Sequence, residues 1–499
     1  MSRRDRISRT GVQNAIFVAG LVCCAISQFH LPSLLDEGTM DGEPTATSPS
    51  QNHGINSAAR ERRLEEEIIE EPAPKPTPPP APILSVPLHS EHGTHHAYLY
   101  VGSPPQRRTL IVDTGSRLVA FPCTSCTNCG KHASKSYYDP AISTTDIVNT
   151  CAECEFEGMS KCNNNTCQFV QRYTEGSRIQ AYEITDIMWL GTGDVLESMA
   201  DPKYISTAVP FVFGCQTSEE GLFRSQYADG IFGTAMHQTT LIAAMYEAGA
   251  IPRHAFSLCL NYEGGIFSLG GTDLTLRNES TATLPEETGN ETSILPSLSG
   301  PYHLEPMQYA PLAKNHGWYA VGVVSVHVGD ILITTTKSFL SAFNDVKGTI
   351  IDSGTTDSYL PKVVAQPFMK AWENITGLVY SNKLERYTYS KFLKLPNITI
   401  TVGAHIRWSS TPSNYMEEIV LKREKPGEKS EQQIRRVDIT KPWNGAKSFT
   451  NRIYLDEPKG CVLGGNFMAD HDIMFDITNK RIGIARAECT YRESKYIVV

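Results

Sequence analysis

Short runs of β-branched and aromatic residues punctuated by glycine dominate the chain from about residue 86 onward, as in Ala97-Tyr98-Leu99-Tyr100-Val101-Gly102 and Thr109-Leu110-Ile111-Val112. Runs of this length and composition, ended by turn residues, predict strands. The same texture returns at 318–329, 348–351 and 473–485, whereas helical periodicity is sparse and clearest at 240–248 and 363–374. A mostly β chain follows. Its 499 residues exceed what one core ordinarily holds, so two lobes are expected. Two stretches break the pattern: 278–305, rich in Ser, Thr and Glu, and 417–447, densely charged with almost no apolar period. Both read as surface insertions.

The first 85 residues lack this texture. Arg3, Arg4, Arg6 and Arg9 precede an apolar run at 15–26 that is short for a bilayer span, and Ala25 and Ser27 are small residues placed for cleavage before Gln28. Residues 1–27 are therefore read as a signal peptide, with an uncleaved anchor as the alternative. From 28 to 85 the chain carries a charge run at 61–67 and a proline-rich stretch at 72–82, the signature of an acidic, extended pro-segment or linker. A solvated charged face is favoured there over a short amphipathic helix at 60–71. Residues 490–499 form a tail, and because that end is not an apolar span, no C-terminal membrane anchor is expected.

Charge narrows the partners. A net charge of -9 offers no footprint for a polyphosphate backbone, so nucleic acid is excluded. Thirteen cysteines behind an entry signal point to disulfides in an oxidising compartment. Two of them, Cys23 and Cys24, lie in the leader, and Cys123, Cys126, Cys129, Cys151, Cys154, Cys162 and Cys167 crowd together. The spacings of Cys123, Cys126, Cys129, Cys151 and Cys154 would also suit zinc, but disulfides are the reading adopted. Sequons at Asn164, Asn278, Asn290, Asn374 and Asn397 suit the same compartment. His89, His92, His95 and His96 are read as part of a solvated segment before the first strand, not as a ligand set, since no H-E-x-x-H pattern accompanies them.

The chemistry is spelled twice. Leu110-Ile111-Val112-Asp113-Thr114-Gly115-Ser116 and Thr349-Ile350-Ile351-Asp352-Ser353-Gly354-Thr355-Thr356 each place an acid after an apolar strand and before a glycine and a hydroxyl. One such tripeptide is an expected accident in a chain this long; two with matching flanks are not. Amide hydrolysis without a metal or a nucleophilic side chain needs one carboxylate as base on water and one carboxylic acid on the amide. Two carboxyls about 3 Å apart cannot both ionise, so a pair supplies both forms. Glycine permits the tight turn, and Ser116 and Thr355 can bond the carboxylates from outside.

With these motifs, with Ile231-Phe232-Gly233 and Val462-Leu463-Gly464, and with the ending from Phe467 through Phe475-Asp476 to Ile482-Gly483-Ile484-Ala485, the chain resembles the pepsin-like aspartic protease family over about 86–489. The resemblance implies a bilobal β fold with an N-lobe at 86–262 and a C-lobe at 263–489. It implies Asp113 and Asp352 as the catalytic pair, and Thr114, Gly115, Ser116, Ser353, Gly354 and Thr355 as their support. It further implies a substrate cleft for extended peptides, a monomer, and no cofactor or metal. Tyr173-Thr174-Glu175-Gly176-Ser177 resembles the flap, which makes Tyr173 the closing tyrosine and Gly176 a flap position. The tryptophan often found after the first motif is replaced here by Ala120.

The cysteine-rich insertion at 123–167 and the flap spelling are similar to plasmepsin V and nepenthesin-type enzymes. By that likeness Cys123 pairs with Cys215 and Cys259 with Cys489, Cys126 to Cys167 pair within the insertion, and Cys461 is left over. A processing protease of the secretory pathway, within its compartments or secreted, is the expected role, because a typical prosegment of the family presents basic residues that pair with such a dyad whereas this one ends in acids and prolines. A digestive protease or a catalytically weak binding module of the same fold are the alternatives.

Overall fold

The computed structural model describes residues 81–277, 301–313, 317–422 and 431–491, apart from His92, Glu153, Glu157, Val346 and Arg436. The leader, residues 28–80 of the pro-segment, the sequons at Asn278 and Asn290 and the last eight residues lie outside them, while Leu84 and Ser85, assigned to the pro-segment, already open the first strand. Strands dominate, with a few short helices. The two helical stretches read from periodicity appear as Leu241–Glu247, capped by the Thr240 hydroxyl, and Ala365–Thr376, ended by Gly377 in the left-handed region.

One large sheet runs through the molecule, and in it the beginning, middle and end of the folded region pair with one another. Leu84–Glu91 lies antiparallel to Gly264–Leu269, which pairs with Ala255–Asn261, which pairs in turn with His471–Asp476. The lobe boundary expected at 262/263 thus falls in the turn of a hairpin within this shared sheet. A second sheet holds Thr349–Ile351 between Ala320–Val321 and Cys461–Leu463. The two Asp-bearing strands are built alike. Gln106–Asp113 runs parallel to Gly230–Gly233, and Thr349–Ile351 runs parallel to Cys461–Leu463, so each apolar-apolar-glycine element lies beside its own acid.

The insertion at 123–167 is stapled by Cys126–Cys129, Cys151–Cys162 and Cys154–Cys167, while Cys123 bonds Cys215 and Cys259 bonds Cys489. Cys461 is free and buried. The cysteine spacings that suited zinc are therefore consumed by disulfides. Cys154 and Cys167 do stand with Glu183 as a grouping of metal-holding dimensions, but they are bonded to each other. Because Cys123–Cys215 and Cys259–Cys489 close 92- and 230-residue separations, removing either by paired alanine substitution is expected to cost about 2–5 kcal/mol, read as a lower melting temperature under oxidising conditions.

Two readings are corrected. His95 and His96 are buried in the strand Thr94–Val101, which a Gly93 turn joins to Leu84–Glu91; the His95 Nε2 lies 2.7 Å from the Asn261 carbonyl. A histidine's polar edge can meet a backbone group while its ring packs, so polarity alone misread the segment. The stretch 417–447 is also no bare insertion. Met416–Lys422 pairs with Glu431–Arg435 and with Ala446–Asn451. Its period was hidden because inward positions carry charge: Glu418 pairs with Lys447 at 2.9 Å and Glu417 with Arg452 at 3.3 Å.

Candidate active site

The two acids meet where the two sheets face each other. Both are buried, Asp113 at 0% and Asp352 at 1% exposure. The Gly115 N–H donates to Asp113 Oδ1 at 2.8 Å and the Ser116 hydroxyl donates to Oδ2; the Gly354 N–H donates to Asp352 Oδ1 at 3.0 Å and the Thr355 hydroxyl to Oδ2 at 2.8 Å. Each carboxylate is thus oriented by its own loop. The loops are also laced to each other. The Thr114 hydroxyl donates to the Ile351 carbonyl at 2.8 Å while accepting from the Ser353 N–H at 2.9 Å, and the Ser353 hydroxyl donates to the Val112 carbonyl at 2.7 Å while accepting from the Thr114 N–H at 3.1 Å. This reciprocal lattice fixes one acid relative to the other with buried, fully used donors and acceptors.

Glycine is required for closeness, not for turning alone. A Cβ on Gly115 would stand 2.8 Å from Asp352 Oδ1, and one on Gly354 would stand 2.3 Å from Asp113 Oδ1. Burial, and then the charge of Asp352, push the Asp113 carboxyl well above the usual carboxylate range, while the bonds from Ser116 and Gly115 oppose them. Such a pair retains a proton where isolated aspartates have lost theirs.

A hairpin joins Thr166–Arg172 to Arg178–Gly191, its turn closed by the Gly176 N–H on the Tyr173 carbonyl at 3.0 Å, and Glu175 in that turn is near enough to Asp352 to feel its charge. Gly176 takes φ +97°, a conformation that side chains resist. Tyr173 packs with Ala120, Ile179, Phe223 and Ile231, its ring 4.8 Å from that of Phe223. With alanine at 120, it is Phe223 that braces the tyrosine, a contact worth about 0.5–1.5 kcal/mol beyond its buried area. Sequence reading missed Phe223, which lies 50 residues further along with no local signal of its partner.

It also passed over Glu175, quoted only as part of the flap motif. Both its carboxylate oxygens are closed off from solvent without a well-formed hydrogen bond, their near neighbours are Ser177 and its own backbone, and no cation pairs with it among the described residues. Burial raises its carboxyl, with a smaller push from Asp352. Gln216 is fully buried with neither amide atom bonded, on the same face of its strand as Gly214, where a side chain would meet Phe169 and Ala120. Two unsatisfied polar groups near the flap are costly unless a substrate completes them.

The cysteine-rich insertion is tied down by Glu183. This buried carboxylate accepts from the Glu155 and Phe156 N–H groups at 2.7 and 3.1 Å and from the Ser160 hydroxyl, and Phe156 packs on Leu118 and Phe169. Asn164, Asn374 and Asn397 are exposed.

Residues 96–271 match the family model described as xylanase inhibitor N-terminal. Aspartic protease 5 of Toxoplasma gondii is 29% identical over 303 residues, covering 53% of this chain and 29% of that protein. Plasmepsin V of Plasmodium falciparum is 30% identical over 209 residues, covering 41% and 34%. Aspartic proteinase nepenthesin-2 of Nepenthes gracilis is 26% identical over 291 residues, covering 57% of each. The matched stretch spans about a third of the first two relatives' length. In sequence the chain is similar to pepsin-like aspartic proteases, plasmepsin V and the nepenthesins among them, and its strand-dominated architecture is consistent with their fold.

Proposed function

We propose that the chain is an aspartic endopeptidase in which Asp113 and Asp352 share one proton, one carboxylate drawing a proton from water as the water attacks the amide carbonyl and the other protonating the departing amine. The observation that carries this reading is the reciprocal lattice of Thr114 and Ser353, which holds two buried acids in matched orientation. Burying like charges together is destabilising, and few structural roles would reward it. Water attacks directly, without an acyl-enzyme, and the Tyr173 hairpin would close over an extended peptide and exclude bulk solvent. The test is cleavage of a peptide library by the full chain, blocked by a statine-type inhibitor; absence of cleavage across acidic and neutral pH would overturn the reading. A binding module of the same fold is the rival, and it would bind such peptides without cutting them.

A secretory processing role is supported by the basic-apolar leader, the five disulfides and the acidic pro-segment. Glycosylation of Asn164, Asn374 and Asn397 fits the same route, since all three are exposed. Self-cleavage near Ile83 on acidification would count against processing and favour a digestive enzyme.

Glu175 supports a preference for a basic side chain in the substrate, whose cation would complete the enclosed carboxylate. Glu175→Gln is expected to lower kcat/KM about tenfold or more for peptides with Arg or Lys near the scissile bond, and little for neutral analogues. Equal losses on both peptide sets would remove Glu175 from recognition.

A further inference from the structure

Five residues beyond Asp352, on the same loop, Asp357 is buried with a guanidinium. Arg452 Nε donates to Asp357 Oδ1 at 2.8 Å and its Nη2 stands 2.7 Å from Oδ2, while Nε lies 3.3 Å from Glu417 Oε2. All three side chains are largely shut from solvent, at 6%, 1% and 13% exposure for Arg452, Asp357 and Glu417. The backbone of Arg452 reaches the same loop: its carbonyl accepts from the Ser358 N–H at 3.2 Å and from Asn466 Nδ2 at 2.9 Å. Asn466 in turn accepts from the Ser358 hydroxyl at 2.6 Å and donates its N–H to the Thr356 carbonyl at 3.0 Å, and the Gly465 N–H donates to the Thr355 carbonyl at 2.8 Å. Thr355 then bonds Asp352. An unbroken chain of contacts therefore runs from the Met416–Lys422 strand, through one arginine, to the carboxylate.

We propose that Arg452, gripped by Asp357 and Glu417, is a positioning residue that holds the Asp352 loop in register with the Asp113 loop; this inference rests on the proteolytic reading above. A buried ion pair is expensive to assemble, and a hydrophobic filling would hold the fold as well. What the triad adds is placement, because the Nε bond to Oδ1 and the close approach of Nη2 to Oδ2 set the guanidinium against both oxygens of one carboxylate. The carboxylates outnumber the cation. Burial pushes Asp357 up to about 7 against the pull of Arg452, with Glu417 adding to the rise, and burial raises Glu417 too. The other groups facing the cluster are Tyr454, whose hydroxyl accepts from Arg452 at 3.4 Å, Asp456 beside Tyr454, and Tyr262, which faces Glu417 together with Arg435, Glu91 and Glu418. Below neutrality the pair of carboxylates keeps a proton and the triad is balanced. Above it an uncompensated negative charge is left buried under the loop. Asp357 lies at 3.8 when exposed and about 7 when folded, so its stabilising effect is full below about 4 and is lost as pH rises through about 7.

The experiment uses the full chain and a peptide that the wild type cleaves, with kcat, KM and melting temperature measured across pH. Arg452→Gln is expected to lose about tenfold or more in kcat with KM within about twofold, since misplacement by a fraction of an ångström penalises chemistry more than binding. Asp357→Asn is expected to move the alkaline limb of its kcat profile up by about one pH unit and to flatten the fall in melting temperature between about pH 4 and 7. Wild-type kcat in folded Arg452→Gln, or an unmoved alkaline limb in Asp357→Asn, overturns the inference. If Arg452→Gln does not fold, the Asp357→Asn limb decides. A wild-type chain that cleaves nothing overturns the proteolytic reading and this inference together, whereas a cleaving wild type with unaltered triad variants overturns the inference alone.

Discussion

Asp113→Asn and Asp352→Asn are each expected to lower kcat by about a thousandfold or more while leaving the chain folded. An asparagine keeps the shape: its carbonyl oxygen can still accept from the Gly115 or Gly354 N–H, while its amide N–H donates to the Ser116 or Thr355 hydroxyl, which turns to accept. It can neither take a proton from water nor return one to the amine. Because the Asp113 carboxyl is raised by burial and by its neighbour, removing one acid also relieves the like-charge pressure in the pair. The Asn variants should therefore melt no lower than wild type at neutral pH. Cleavage by purified variants, followed by mass spectrometry of the peptide termini, checks the first expectation and a melting curve checks the second. Wild-type cleavage in either variant would leave the dyad without a role.

The second large effect belongs to Gly354→Ala. The added methyl would stand 2.3 Å from Asp113 Oδ1 and 2.6 Å from its Cγ, far inside van der Waals contact, and the atoms struck are those of a carboxylate already held on both oxygens. Either the acid or the loop must move. A shift near 1 Å in this pair is expected to cost about a hundredfold or more in kcat and about 1–3 kcal/mol in stability. Gly176→Ala is the informative comparison. Nothing lies within 4 Å of its would-be Cβ, so only the strain of φ +97° is added, about 1–3 kcal/mol, and it falls on the hairpin tip and not on the acids. Activity in Gly354→Ala equal to that in Gly176→Ala would show that the close approach of the two loops is not needed.

Apart from the Cys123–Cys215 and Cys259–Cys489 bonds that the family resemblance implied, pairings near in sequence were legible and pairings between distant residues were not. The strand lead-ins to both acids, the glycines behind them and the Thr240 and Gly377 helix boundaries each follow from a few consecutive residues. Phe223 behind Tyr173, Arg452 beneath Asp357 and Asn261 against His95 are partners chosen by the packing of strands. Arg452 and Asp357 stand 95 positions apart, and His95 and Asn261 stand 166 apart. Charge misled where it was satisfied from afar, as at Glu417 and Glu418, since a buried carboxylate and a solvated one are spelled alike.

By itself, then, the sequence determined the β character of the chain, the doubled acid motif and the chemistry those residues are able to perform. Each depends on local composition and on what a carboxyl, a hydroxyl or a glycine can do. Only the tertiary structure decided that Thr114 and Ser353 cross between the loops, that Phe223 stands in for the missing tryptophan, that Glu175 is enclosed with no cation beside it among the described residues, and that one arginine anchors the second acid. The reason is physical: burial and pairing belong to the sheet that assembles, where residues far apart along the chain acquire a common environment that neither carries alone.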